Sequence, residues 1–259
     1  MICRRTGLGL ICGLLTTLAT TWVGCAEKGL VRDFSIPADR RTALDSAEPA
    51  EQTLRVPDDT PFNITDKASR QTPGMYGTAR GESGAEGDGT AFCGATVGNG
   101  GSAGATFHLG HCVQNRDEDS LSVEAVFTCE YEITARQSDG PDQATAASYQ
   151  MELFVNDSDG RLLKRVPIDS SSADGGPTGG TSRVVKEVYA RLEPGRAYNF
   201  VLAASVEAKT GAGGQAELDI EVKSLHLKTH YRRLHPDPEH LERLPYIAEP
   251  ADSATPDQH

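Results

Sequence analysis

Aromatic side chains are scarce, at 6% of the chain, with one tryptophan, Trp22, and three methionines. Exposed aromatic platforms of the kind that grip sugars therefore have few residues to be built from. Apolar residues make up 37%, against about 45–50% (Gly included) in ordinary globular chains, so long loops or linkers are expected. Cations are also few: 25 Lys and Arg face 37 Asp and Glu, for a formal charge of −12. Such a surface repels phosphate backbones, which excludes nucleic acid as a partner. Metalloenzyme spacings of the HExxH or CxxC kind do not occur. The segment Gly100-Gly101-Ser102-Ala103-Gly104 matches GxSxG literally. A hydrolase elbow needs a buried strand before it and a helix after it, whereas here a Gly-rich turn leads into a strand pattern. No acid/base pair, nucleophile or metal set points to an enzyme.

What the chain does contain is period-2 alternation, longest in Leu121–Arg136. Leu121, Val123, Ala125, Phe127, Cys129, Tyr131, Ile133 and Ala135 hold the odd positions, and polar residues the even ones except Val126. Successive strand side chains point to opposite faces, so this is a strand with its odd face buried. At about 3.3 Å per residue it would span roughly 50 Å, so a bend or bulge is expected. Shorter versions recur at Ala91–Val97, Thr106–Val113, Tyr149–Val155, Arg161–Ile168, Val184–Leu192 and Tyr198–Val206. In the last such segment Leu218, Ile220 and Val222 are even-phased but Leu225 and Leu227 odd, which a bulge near Ser224 would produce. A bulge at Gly110 would keep His111 out and Cys112 in. About seven or eight strands with tight turns and no helical period predict an all-β, antiparallel two-sheet sandwich over residues 91–232. Residues 25–90 read as a long disordered tether, because Leu54–Val56 and Phe62–Ile64 are sparse apolar clusters in polar sequence. Residues 233–259 read as a polar tail, with one short helix opening at Asp237-Pro238.

Arg4 and Arg5 followed by the uncharged apolar run Gly7–Thr21 form the layout of an export signal over residues 1–24. The segment then reads Trp22-Val23-Gly24-Cys25, which resembles the lipobox of bacterial lipoproteins, with Trp22 where that family usually has Leu. The resemblance covers the leader only. It implies cleavage before Cys25, a diacylglycerol on its thiol and attachment to the cell envelope. With Ala26 after the Cys, it implies the outer membrane, facing periplasm or surface. Gly24 and Ala26 also suit an ordinary signal peptidase, and an uncut leader would serve as a short membrane anchor. The run Leu192–Tyr198 resembles a hairpin of many bacterial sandwich modules, carbohydrate-binding ones among them; that likeness is generic.

The mature cysteines besides Cys25 are Cys93, Cys112 and Cys129, an odd number for an oxidising compartment. Cys129 falls on a buried face. In a simple hairpin Cys112 would pair with about Ser122, away from Cys129, so Cys93–Cys112 is the favoured disulfide. If strands run up and down, the loops 114–120, 156–160 and 193–195 share one end. Asp117, Asp119, Asp157 and Asp159, with Glu118, Asn156 and Glu193, could then offer the six to eight oxygens that Ca²⁺ prefers. Asp and Asn also favour turns for backbone reasons alone. His108 and His111, three apart on a strand, face opposite ways and are poor joint ligands. Phe154 and Tyr189 are the mid-strand aromatics of the wet phase, available to a polysaccharide or to an envelope protein. The expected role is a binding or structural module, with carbohydrate binding as the alternative.

Overall fold

The structure is a computed structural model that describes residues 30, 32, 34, 36–44, 51–141, 145–171 and 179–234. Leader, Cys25 and the expected tail helix lie outside them. Twelve strands occur among the described residues: β1 (Thr42–Leu44), β2 (Glu51–Val56), β3 (Ile64–Pro73), β4 (Thr78–Ala85), β5 (Ala91–Gly98), β6 (Gly101–Asn115), β7 (Leu121–Ser138), β8 (Ala146–Asp157), β9 (Leu162–Ser171), β10 (Gly180–Leu192), β11 (Ala197–Thr210) and β12 (Gln215–Arg233). They form two six-stranded sheets. Sheet A runs β1-β6-β11-β8-β9 with β3 also on β6, and sheet B runs β10-β7-β12-β5-β4 with β2 also on β12. Every pairing is antiparallel except the short parallel β1–β6 contact. The expected β-sandwich is therefore present.

Most connections cross from one sheet to the other. Only β4–β5 and β8–β9 are hairpins, so the tight turn at Glu193-Pro194-Gly195 is an arch between sheets. The same holds between β6 and β7, which do not pair as a simple hairpin. Arches suit side chains that must face inward on both strands they join. Strand β7 shows the reason: its odd residues from Leu121 to Ile133 are buried and its even ones half-buried or exposed. They meet Phe107, Leu109, Met151, Leu153, Phe200 and Leu202 from sheet A in one core. The expected bulge near Ser224 is found between Val222 and Ser224, on β12 rather than on β7. Before it the even residues of β12 are buried, and after it the odd ones.

Three expectations need correction. Strands β1–β4 lie where a tether was expected, so residues 42–44 and 51–85 belong to the sandwich. They are edge or covering strands whose outer positions stay wet, as in β3, where only Ile64 is buried. Their sequences are polar for that reason. Gly110 carries no bulge: the β6–β11 register is continuous. His111 accordingly takes the inward phase, and Cys112 lies on the outer side of sheet A.

That outer side is itself covered. Leu30, Phe34 and Ile36 pack with Ile64, Cys112, Phe154, Ala197, Val201 and Ala203 into a second cluster. The chain then passes a 3₁₀ turn at Ala38–Arg40 and ends as β1 beside Val113–Asn115. Where the strap covers it, around Cys112, Phe154 and Val201, sheet A is a buried layer on both faces.

Candidate functional site

The loops 114–120, 156–160 and 193–195 do meet at one end. Gly195 N donates to Asn115 O (2.8 Å), Asn115 N to Arg196 O (2.9 Å), and Ser158 N to Ala197 O (2.9 Å). Asn115 Nδ2 adds bonds to Asp119 O (2.9 Å) and Leu192 O (3.1 Å). The carboxylates gathered there are already engaged. Asp117 Oδ1 accepts from Asp119 N (3.2 Å) and its Oδ2 from Arg233 Nε (2.6 Å). Burial acts to raise the Asp117 carboxyl, but these donors outweigh it and hold it below the usual carboxylate range. Asp157 Oδ1 accepts from Asp159 N (3.0 Å) and Arg161 N (2.9 Å), the pattern of an Asx turn. Arg196 Nη1 lies 3.4 Å from both Asp157 Oδ2 and Asp159 Oδ2.

The expected calcium set is thus corrected at its centre: guanidinium groups and turn amides hold the oxygens of Asp117 and Asp157, and Arg196 stands beside Asp159 Oδ2. Among the described residues no group of three or more acidic, His or Cys side chains is arranged to hold a metal ion. Sequence spacing could place the acids but not Arg196 and Arg233 beside them. Calorimetric titration of the mature protein with millimolar Ca²⁺ is expected to give no binding heat and no rise in melting temperature. A rise lost in Asp157→Asn/Asp159→Asn would contradict this.

On the outer face of sheet A, Phe154 is 1% exposed, not an open platform. Its ring stacks on Phe34 at 6.3 Å between centroids and meets His108 edge-on at 6.4 Å. Phe34, 120 positions away, covers it, and no local pattern could reveal that. His108 Nε2 bonds Leu30 O (2.8 Å), so it ties the start of the strap to the sheet. Its Nδ1 stands 3.5 Å from Asp66 Oδ2, and Asp66 pairs with Arg32 of the strap (2.5 Å). Asn156 Nδ2 donates to Arg32 O (2.8 Å). Cys112, Asn199 and Asn156 sit opposite one another on β6, β11 and β8. Asn156 Oδ1 and both polar atoms of Asn199 have no hydrogen-bond partner among the described residues. Glu152, buried four residues earlier on β8, is paired with Arg165 Nε (2.5 Å). A groove of about 240 Å³ opens where the strap begins, lined by Leu30, Arg70, Gly104, Thr106, Ser205 and Glu207. The Arg70–Glu207 ion pair crosses it.

Tyr189, by contrast, is 53% exposed, on the outer face of sheet B. Its hydroxyl lies 3.2 Å from both Glu124 Oε1 and Glu187 Oε2, either of which can accept its one proton, and their charges raise its pKa. The two aromatics therefore lie on different sheets and share no face. Sheet B also carries a groove of about 660 Å³, near Phe92, Glu132, Asp219, Glu221 and Lys223. Burial, with Glu217 and Glu82 nearby, raises the Asp219 carboxyl. Its side chain lies over Gly94, where an added Cβ would come within 2.1 Å of Asp219 Oδ1. Acidic side chains dominate its charged lining, with Lys223 the one cation.

The expected Cys93–Cys112 disulfide is not formed: Cys93, Cys112 and Cys129 are all free and buried. Cys93 belongs to the core between the sheets and Cys112 to the strap cluster outside sheet A. Burial pushes the Cys112 thiol up to about 11 and Cys129 up to about 12, and Cys93 is raised further still. Thiols held protonated in this way are poor nucleophiles. His111 bonds Thr42 Oγ1 (2.7 Å) from the inner side, and burial lowers its pKa to about 4.

No family model matches the chain, and no curated protein matches it. Among solved structures it is similar to the VP2 subviral particle of infectious bursal disease virus, at 11% identity and TM-score 0.22, over 75% of this chain and 43% of that one. It is likewise similar to the Gt strain structure of that virus, at 11% identity and TM-score 0.21, over 81% of this chain and 49% of that one. The chain thus spans less than half the length of these two. Neither likeness bears on its activity.

Proposed function

We propose that the protein is an exported lipoprotein, held on the outer membrane of a bacterial envelope by lipid on Cys25, whose sandwich serves as a binding or structural module. The observation that carries this reading is the leader itself, Arg4-Arg5 followed by the uncharged apolar run Gly7–Thr21 and Val23-Gly24-Cys25. Leu30, 1% exposed on the outer side of sheet A, is only five residues beyond Cys25. Five residues span at most about 17 Å, so the anchored domain stands at the bilayer rather than on a long leash. The buried thiols, raised and so poor nucleophiles, favour a contact role over thiol catalysis. The partner we favour is an envelope protein: with Phe154 covered, only Tyr189 of the two aromatics is left for stacking on a polysaccharide.

Cells expressing Cys25→Ala and wild type, fractionated side by side, test the anchor. Wild type is expected in the membrane fraction and the variant in the soluble one, since two acyl chains hold a protein nearly permanently. Equal membrane retention of both, with the leader uncut, would make the h-region a transmembrane anchor instead.

A further inference from the structure

The two sheets are closed along one side of the sandwich and open along the other. Where β4 ends sheet B, β3 of sheet A lies against it. Ser83 Oγ donates to Ala68 O there (3.1 Å), and a Cβ at Gly81 would come within 2.8 Å of Arg70 O. On the opposite side β9 and β10 are outermost, and among the described residues each pairs with one strand only. An outermost strand offers a row of unpaired amides and carbonyls to any strand that can lie beside it. Strand β9 is spoiled for such pairing, since its register shifts twice against β8 and Pro167 lacks a donor. Strand β10 is not. All of Gly180–Leu192 runs against β7 without a shift and contains no proline. Its outward side chains, Thr181, Arg183, Val185, Glu187, Tyr189 and Arg191, lie opposite the even residues of β7 and are all exposed. At the middle of this row Val185 is 56% exposed.

We propose that the free edge of β10 pairs with the same edge of a second copy, making sheet B continuous through a two-fold dimer centred on Val185. The order of charges along the strand commits the edge to its own copy. A two-fold axis through a sheet sets the two edge strands antiparallel. Paired residues then point to the same side, so the axis passes where one residue meets itself. Centred on Val185, Arg183 faces Glu187 of the second copy, and Glu187 faces its Arg183. Val185 meets Val185, and Thr181 meets Tyr189. Lys186, on the inward phase opposite Phe127, meets Val184. The pairing runs over Gly180–Ala190 with every charged side chain opposite a counter-charge or a neutral residue.

Neighbouring registers do worse. Those centred on Arg183, Lys186 or Glu187 set like charges against one another, which destabilises directly opposed pairs. Those centred on Val184 or Val188 pair no opposite charges. One centred on Tyr189 sets Glu187 against Arg191, but only Lys186–Leu192 can overlap. The strand thus favours one self-pairing by attraction and rejects its neighbours by repulsion. This dimer does not depend on the lipid anchor.

Single-cysteine crosslinking in cells that express the full chain tests it, because only a residue on the axis meets its own copy. Cells carrying Val185→Cys are treated with copper phenanthroline and read on a non-reducing gel. A band at twice the chain mass is expected, absent from wild type, whose Cys93, Cys112 and Cys129 are buried. Glu187→Cys should give little, since its two copies would stand four residues apart along the strands, about 13 Å, beyond the reach of a disulfide. Adding Arg183→Glu to Val185→Cys should lower the band about tenfold by setting like charges opposite twice over. Adding Glu187→Arg as well should restore it. No dimer band at Val185 overturns the proposal. So does an equal band at Glu187, which marks random collision, or a stronger one from Tyr189→Cys, which puts the axis elsewhere. A band that Arg183→Glu leaves unchanged overturns it too.

Discussion

Phe127→Ala should lower the unfolding free energy of the mature protein by about 3–5 kcal/mol, while Thr128→Ala should change it by almost nothing. Phe127 is 1% exposed at the centre of β7, which lies between β10 and β12 and faces sheet A. Truncation there removes the burial of the ring and leaves a cavity that flanking strands on both sides cannot collapse to fill. Thr128 points to the wet face one residue on, beside Val185 and His226. Urea melts of both variants read the contrast directly. Equal, small shifts would mean that the odd face of β7 is not the core face.

Acid should weaken the fold first through its buried histidines. His111 falls from about 6.5 unfolded to about 4 folded because burial penalises its charged form. His108 is lowered as well, chiefly by burial, with Arg32 adding to the effect and the Leu30 carbonyl and Asp66 opposing it. A depressed histidine is neutral in the fold and binds its proton more readily when unfolded. Stability is therefore complete above about pH 6.5 and declines as pH falls towards 4, flattening below that. For His111 the difference corresponds to about 3 kcal/mol. The depressed carboxyl of Asp117 adds a further loss at lower pH. His111→Gln should remove its share, so between pH 7 and 4 the wild type should lose about 3 kcal/mol more than the variant. Parallel losses would show that His111 is not held neutral. His108→Gln tests the strap in the same way, because that side chain holds Leu30.

Strands that were legible in the sequence share one property: each has one face in the core and one in water. In β7 and β12 that condition holds along the whole strand, so their phase, and even the bulge beside Ser224, could be read from single residues. Strands β2, β3 and β4 escaped because they cover the edges of longer strands and bury little of their own. Glu51–Val56 alternates, yet only Val56 is fully buried. Outer-face residues of sheet A were illegible for a different reason. Phe154 alternates with a buried set and so reads as wet, but the strap adds a second layer that makes both faces apolar. The acidic end was half legible: turn chemistry marked the loops and alternate connection placed them together. Its arginines came from β12 and from an arch, and long-range charge pairing leaves no local signature.

The intact mass of the membrane-bound protein and of its N-terminal peptide tests the central claim most directly. The account predicts a chain that begins at Cys25 and carries a diacylglyceryl group on that residue. A chain that retains residues 1–24, or one that begins unmodified beyond Leu30, would contradict it.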